Sequence, residues 1–296
     1  MIRDPMTPAE HNPAPGGSPP DASPSDEDER LRILATHGPD ELANDPELAA
    51  IVDFAARLCE TPIALISLVE RDRQRFLASA GITACETPRS TSFCAHAMIG
   101  SAPMIVPDAT QDPRFADFAL VTGEPHIRFY AGAPLVSREG VPLGSLCVID
   151  TVPRIVGLSD LQRTGLQVLA AAVMQRLNAR RLDLDSRAQS DASARRFAML
   201  ADNIPDIAWS CSAEGAFDFF NARWREYTGI DGPRAAEDWR PLVHPDDADA
   251  AFDAWYASAV SGNAFVTEFR MRHATGDWGW VLSRALPLRD DSGRIV

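Results

Sequence analysis

The segment from 128 to 149, RFYAGAPLVSREGVPLGSLCVI, constrains this chain more than any other. Two runs rich in apolar residues, 128–137 and 141–149, flank Arg138-Glu139-Gly140. Glycine at that point takes a backbone angle that other residues resist, so the runs fold back on each other as a long antiparallel hairpin. Such a sheet hides an apolar face only when helices pack over it, which points to an α+β layer arrangement.

The preceding residues supply both helices and strands. A short helix carries Leu31, Ile33 and Leu34. Asp45-Pro46-Glu47 opens a better one, because Asp45 can cap it and the missing N–H of Pro46 costs nothing in the first turn. Leu48, Ile51, Val52, Ala55 and Leu58 then recur at helical spacing and should face a core. Strands are expected over 63–69 and 74–79 around a turn at Arg71-Asp72-Arg73, and again over 103–106. A short helix is expected over 92–98 and a brief one over 114–121. With the long hairpin this makes about five antiparallel strands.

A further helix begins near Ser159 and is expected to reach about Ala188. Leu166, Leu169, Val173 and Leu177 form one apolar stripe on it. That stripe either packs on its own domain or forms a dimer seam; beyond it the helix is polar on most faces, as suits a rigid connector. A second unit starts near Ala194, with Phe197, Leu200 and Ile204 on one helical face and Pro205 as a stop. Strands over 207–211 and 216–220 turn at Glu214-Gly215. Asn221 is placed to cap a helix that Gly229 ends. In His244-Pro245-Asp246-Asp247 the proline presets a turn and an aspartate meets the open N–H groups of the next helix. Strands over 264–272 and 278–288 follow, turning at Gly276-Asp277.

Composition narrows the function classes. At 296 residues the chain holds about two domains of ordinary size. Its 42 acidic and 28 basic side chains leave a net charge of -14, which repels phosphate backbones and anionic lipid heads, so neither nucleic acid nor a membrane surface is an expected partner. No apolar run is long enough to span a bilayer and no secretory leader is visible. Five cysteines, at 59, 85, 94, 147 and 211, are dispersed without C-x-x-C spacing, which suits a reducing cytoplasm better than a disulfide scaffold or a metal site. The first 25 residues, rich in Pro, Ser, Asp, Ala and Gly, are expected to form a disordered tail.

SFCAHAM, then VPDATQDPRF, then FYAGAPLVSREGVPLGSLCVID together resemble a GAF domain, over about 26–178. NIPDIAWSCSAEGAFDFFNARWREYTG, WRPLVHPDD and FVTEFRMRHATGDWGWVLSRALPLRDDSGRIV resemble a PAS domain of the PAS_3 type, over 194–296, with 179–193 as a helical linker. The resemblance implies a tandem α+β sensor joined by a long helix, cytoplasmic, and acting on an attached enzyme. In the PAS pattern Asp290-Asp291-Ser292-Gly293-Arg294 turns into one more strand, so the chain is expected to be a piece of a longer protein that lacks that strand. A histidine kinase output with its response regulator is the leading expectation. A diguanylate cyclase front end and a standalone regulatory protein are the alternatives, and a small-molecule redox enzyme on the GAF fold is a more distant one.

No phosphate-binding glycine loop and no phosphoacceptor histidine setting is visible, so no catalytic centre is expected within this chain. Cys94 and His96 lie two apart on a helix and do not face each other, which disfavours a nucleophile–base pair. Cys94 is read as core, as a ligand contact or as an oxidation-sensitive thiol. By the placement the resemblance implies, Phe93, Cys94, His96, Arg128 and Tyr130 are candidate pocket residues of the first domain. Trp209, Phe220, Trp224, Tyr227, Trp255 and Phe269 are those of the second, although aromatic residues are also ordinary core. Flavin is disfavoured because NARWREYTG lacks the cysteine that flavin sensors of this family carry; haem and bilin are disfavoured for want of an axial histidine and of the flanking bilin patterns.

Overall fold

A computed structural model describes residues 24–43, 45–212, 215–233 and 235–295, in two compact units that divide between Arg187 and Ala188. Most of the expected tail, 1–23, and Glu214 of the expected turn lie outside the described residues.

The first unit begins with α1 (Pro24–Thr36), a 3-10 turn (Pro39–Leu42) and α2 (Pro46–Cys59). Asp45 caps α2 as its position predicts, accepting from the backbone N–H groups of Glu47 and Leu48. The strands β1 (Ile63–Val69), β2 (Arg73–Ala80) and β3 (Glu86–Pro88) follow, then α3 (Phe93–Ala97), β4 (Met104–Val106) and α4 (Ala119–Thr122). The long hairpin is β5 (Phe129–Val136) with β6 (Pro142–Asp150). These strands form one antiparallel sheet in the order β3-β2-β1-β6-β5-β4. Every residue of β1 is buried, because both faces of the sheet are covered. Ala64, Ile66 and Leu68 pack with the helices α2 and α5 (Asp160–Asp202), while Ile63, Leu65 and Val69 enter a second core around Phe93, Phe115 and Tyr130.

Three expectations change here. The sheet has six strands rather than about five, since β3 has no apolar run to announce it and lies at the edge, where Pro88 is tolerated. No helix spans 114–121; turns run there until α4. The carboxylate of Asp112 binds both the backbone N–H and the guanidinium of Arg114, which favours a turn over a helix start. The third change concerns α5 (Asp160–Asp202), one unbroken helix of 43 residues. It passes Ala188 and Ala194 because 180–196 holds neither glycine nor proline to stop it.

Of the expected seam, Leu166, Val173 and Leu177 are fully buried in the first unit's own core, and Leu169 packs partly buried against it. The three buried side chains serve this core. Among the described residues no helix is long and apolar enough to cross a membrane.

The second unit contains β7 (Trp209–Cys211) paired with β8 (Phe217–Phe220), then α6 (Ala222–Thr228), α7 (Ala236–Trp239) and α8 (Pro245–Ser261). The ribbon β9 (Phe265–Arg272) with β10 (Trp278–Ala285) completes it, in register from Trp278 opposite Arg272 to Ala285 opposite Phe265. The turn at 290–294 forms, with the Asp290 N–H donating to the Arg294 carbonyl and Gly293 at φ 82°.

Two caps differ from expectation. Asn221 holds the N-cap position of α6 but makes no capping hydrogen bond. Its amide is drawn away by three backbone groups, and Asp202 at the end of α5 accepts from the Ala222 N–H instead. At α8 the cap is His244, whose Nδ1 accepts from the Asp246 N–H at 3.2 Å. Asp247 is engaged elsewhere, gripping the backbone N–H and guanidinium of Arg270 at 2.8–2.9 Å.

Candidate functional site

The chain has six tryptophans, all in the second unit. Five of them, Trp209, Trp224, Trp239, Trp255 and Trp280, line one cavity of about 650 Å³. A space of that size suits a drug-sized or cofactor-sized molecule.

The walls follow from local chemistry. Asn221 fixes the entry of α6: its Oδ1 accepts from the Ala208 N–H, and its Nδ2 donates to the carbonyls of Ala201 and Asp206, all at 2.9–3.0 Å. Trp224 then points inward from α6, and the left-handed Gly229 ends that helix. Trp255 projects from α8, whose first turn carries Asp246 and Asp247, a charge favourable at a helix N-terminus. The alternation of β9 turns Phe265, Phe269 and Met271 inward. The rings brace one another. Trp209 meets Trp255 edge-on at 5.5 Å, Phe217 stacks on Trp255 at 5.9 Å, and Phe220 lies 4.5 Å from Trp224. Held in this way, they leave an interior that is mainly aromatic.

Polar groups interrupt this wall. Asp206, Ser283 and Arg284 lie on the lining, and the Tyr227 ring is set edge-on to His273 at 4.9 Å. The indole Nε1 atoms of Trp224 and Trp239 are buried without a hydrogen-bond partner. The lining is thus an aromatic wall interrupted by polar groups, two of them buried indole N–H donors without a partner among the described residues.

All six residues expected to line a pocket in this unit, Trp209, Phe220, Trp224, Tyr227, Trp255 and Phe269, line this one cavity. Trp239 and Trp280 were not among them. Trp239 sits beside Arg240-Pro241, where the sequence signals a turn, and Trp280 belongs to an alternating strand; an aromatic count across the unit would have drawn attention to both.

In the first unit the five expected residues are engaged with the chain itself. Phe93 and Tyr130 are buried rings at 5.1 Å, with Phe115 stacked on Phe93 at 4.3 Å. Cys94 lies against Tyr130 and Cys147. The His96 ring packs edge-on to Phe115 at 5.0 Å, and burial lowers its pKa. Arg128 is used on the chain itself, donating to the carbonyls of Val121 and Ile127.

Comparison with known proteins agrees with this division. Residues 45–177 match the GAF domain family and residues 217–296 match PAS_3, the PAS fold. A cyclic di-GMP phosphodiesterase of Pseudomonas aeruginosa is 46% identical over 155 residues, which is 52% of this chain and 26% of that protein. A peroxide stress-activated histidine kinase of Schizosaccharomyces pombe is 26% identical over 99 residues, 33% of this chain and 6% of that one. The solved GAF domain of a phosphoenolpyruvate-protein phosphotransferase from Coxiella burnetii is 15% identical, covering 55% of this chain and 98% of its own, with a TM-score of 0.39. The chain thus spans about a quarter or less of the length of these two curated relatives.

Proposed function

We propose, from a chain in which a GAF domain is followed by a PAS fold, that the PAS cavity takes up a flat, largely apolar small molecule and that its occupancy is passed to a signalling enzyme through α5. The observation that carries this reading is the cavity of about 650 Å³ lined by five of the six tryptophans. A route out of it is supported by adjacency in the chain. Phe220 lines the cavity, Asn221 follows it, and Asn221 and Ala222 are tied to Ala201 and Asp202 in the last turn of α5. A ligand that moves Phe220 strains those bonds, and it shifts the output only as far as it binds the two arrangements with different affinity.

The receiving enzyme has two readings. Module order supports a histidine kinase with its response regulator. The 46% identical phosphodiesterase supports cyclic di-GMP turnover instead. Autophosphorylation and cyclic di-GMP turnover, measured on the full-length protein, separate them.

The cavity itself is tested with anilinonaphthalene sulfonate, a flat apolar fluorophore. Binding is expected to quench tryptophan emission and raise the Tm of the second unit. Filling the cavity from its β10 wall by Val281→Phe is expected to weaken binding at least about tenfold, a loss of about 1.4 kcal/mol. Unchanged affinity in a folded Val281→Phe protein would remove the cavity as the site.

A further inference from the structure

The second core of the first unit holds a cluster of buried sulfur and hydroxyl groups. Cys94 on α3 and Cys147 on β6 bring their sulfur atoms to 3.7 Å, and both residues are buried. Tyr130 on β5 donates its O–H to Cys94 Sγ at 3.4 Å and shares a 3.2 Å hydrogen bond with the Ser145 hydroxyl. Ser145 and Tyr130 are fully buried as well. Polar groups gathered in this way lose water and must satisfy one another. A sulfur surrounded by hydroxyl and thiol donors is stabilised as the thiolate, the form that acts as a nucleophile.

The cysteines of this unit provide an internal contrast. The hydrogen bond with Cys147 does most to bring Cys94 down, with Ser145, Tyr130 and Ser67 adding to it against burial, while the same bond and burial push Cys147 up. Cys59, buried without such donors, is pushed up to about 11. Position matters too: Cys94 lies on a helix of only five residues, held at its start by the Ser92 cap. With Phe93, Cys94, Ala95 and Ala97 all buried, peroxide reaches Cys94 only through a local opening of this turn.

We infer that Cys94 and Cys147 are a peroxide-reactive dithiol site, with hydrogen peroxide or a small organic hydroperoxide as substrate. The Cys94 thiolate attacks one peroxide oxygen, the O–O bond breaks, and the departing hydroxide takes up a proton to become water, leaving a sulfenic acid on Cys94. The Cys147 sulfur then attacks Cys94 Sγ. The S–S bond forms, the S–O bond breaks, and the expelled hydroxide leaves as a second water with the proton from Cys147. Two thiols and one hydrogen peroxide thus give one disulfide and two waters. A disulfide needs the sulfur atoms at about 2.05 Å, so closure draws α3 towards β6. This site is separate from the PAS cavity and stands or falls independently of it.

The test uses the reduced full chain, treated with hydrogen peroxide, then unfolded, alkylated and read by mass spectrometry. A Cys94–Cys147 linked peptide, 2 Da lighter than its reduced parts, is expected, while Cys59 remains alkylatable. Cys147→Ser is expected to stop at a dimedone-trapped sulfenic acid on Cys94. Cys94→Ser is expected to slow peroxide consumption at least about tenfold. Should the exposed Cys85 alone oxidise, with Cys94 and Cys147 recovered as thiols from folded wild-type protein, the inference is overturned. That readout needs no variant to fold.

Discussion

Glu27 shows how single residues set conditions for the whole first unit. Its side chain is 11% exposed and lies against Arg30 at 2.7 Å and against Arg89 from the far side of β3. Burial raises its pKa, but the hydrogen bonds from the two arginines outweigh this and bring the carboxyl down to about 2. A carboxylate lowered by folding contributes stability above its ordinary value of 4.5, and that contribution is lost as the pH falls through about 2. The Tm of the first unit is therefore expected to fall between pH 4.5 and 2, and Glu27→Gln to flatten this fall while lowering the Tm at pH 7. Identical acid dependence in both proteins would assign the acid sensitivity to other groups. Locally determined residues were legible in advance. Asp45 caps α2 because both its N–H partners lie only two and three residues on in the chain. Asn221 was assigned correctly to a helix start, but its side-chain role, like that of Asp247, was not legible, because partners such as Ala201 and Arg270 come from other segments.

At the scale of elements, β1, β5 and β6 were legible because uninterrupted apolar runs between turn signals admit little else. Close approach adds a constraint that patterning does not reveal. At Gly144 on β6 a Cβ would lie 1.9 Å from the Ser67 carbonyl oxygen on β1, so these strands meet where only glycine fits. The junction of α5, β7 and α6 depends in the same way on one side chain. Asn221→Ala would leave the Ala208 N–H without its acceptor and the Ala201 and Asp206 carbonyls without their donor. A buried group stranded in this way, as at Ala201, costs about 1–3 kcal/mol, so a lower urea midpoint for the second unit is expected, with the first unit's transition unmoved. A shift confined to the first unit would contradict this assignment.

For the molecule as a whole, the question is how copies associate. The stripe of Leu166, Val173 and Leu177 serves the first unit's own core. The apolar residues that α5 leaves exposed there are Leu161, Val168 and Leu182, at 74%, 62% and 56% exposure. Their spacing of seven and fourteen is that of a coiled-coil seam. We propose this face as the one through which copies would associate; a Leu161→Glu, Val168→Glu double variant is then expected to halve the mass measured by light scattering while its thermal transition stays in place. An unchanged mass would exclude the face. Val173→Glu, by contrast, is expected to unfold the first unit, because it buries a charge that has no partner.

From the sequence alone came the antiparallel hairpin, the capped helix before it, the α+β layering of both units and the six aromatic residues later found around one cavity. Each of these follows from residues near in the chain or from strict periodicity, which backbone geometry converts directly into strands and helices. Three-dimensional packing decided the rest: which face of α5 is spent on its own core, which partners claim Asn221 and Asp247, and that Cys94, 53 residues before Cys147, lies 3.7 Å from it. Contacts between distant residues are chosen by the closing of a core around all of its side chains at once, and no local pattern encodes that choice.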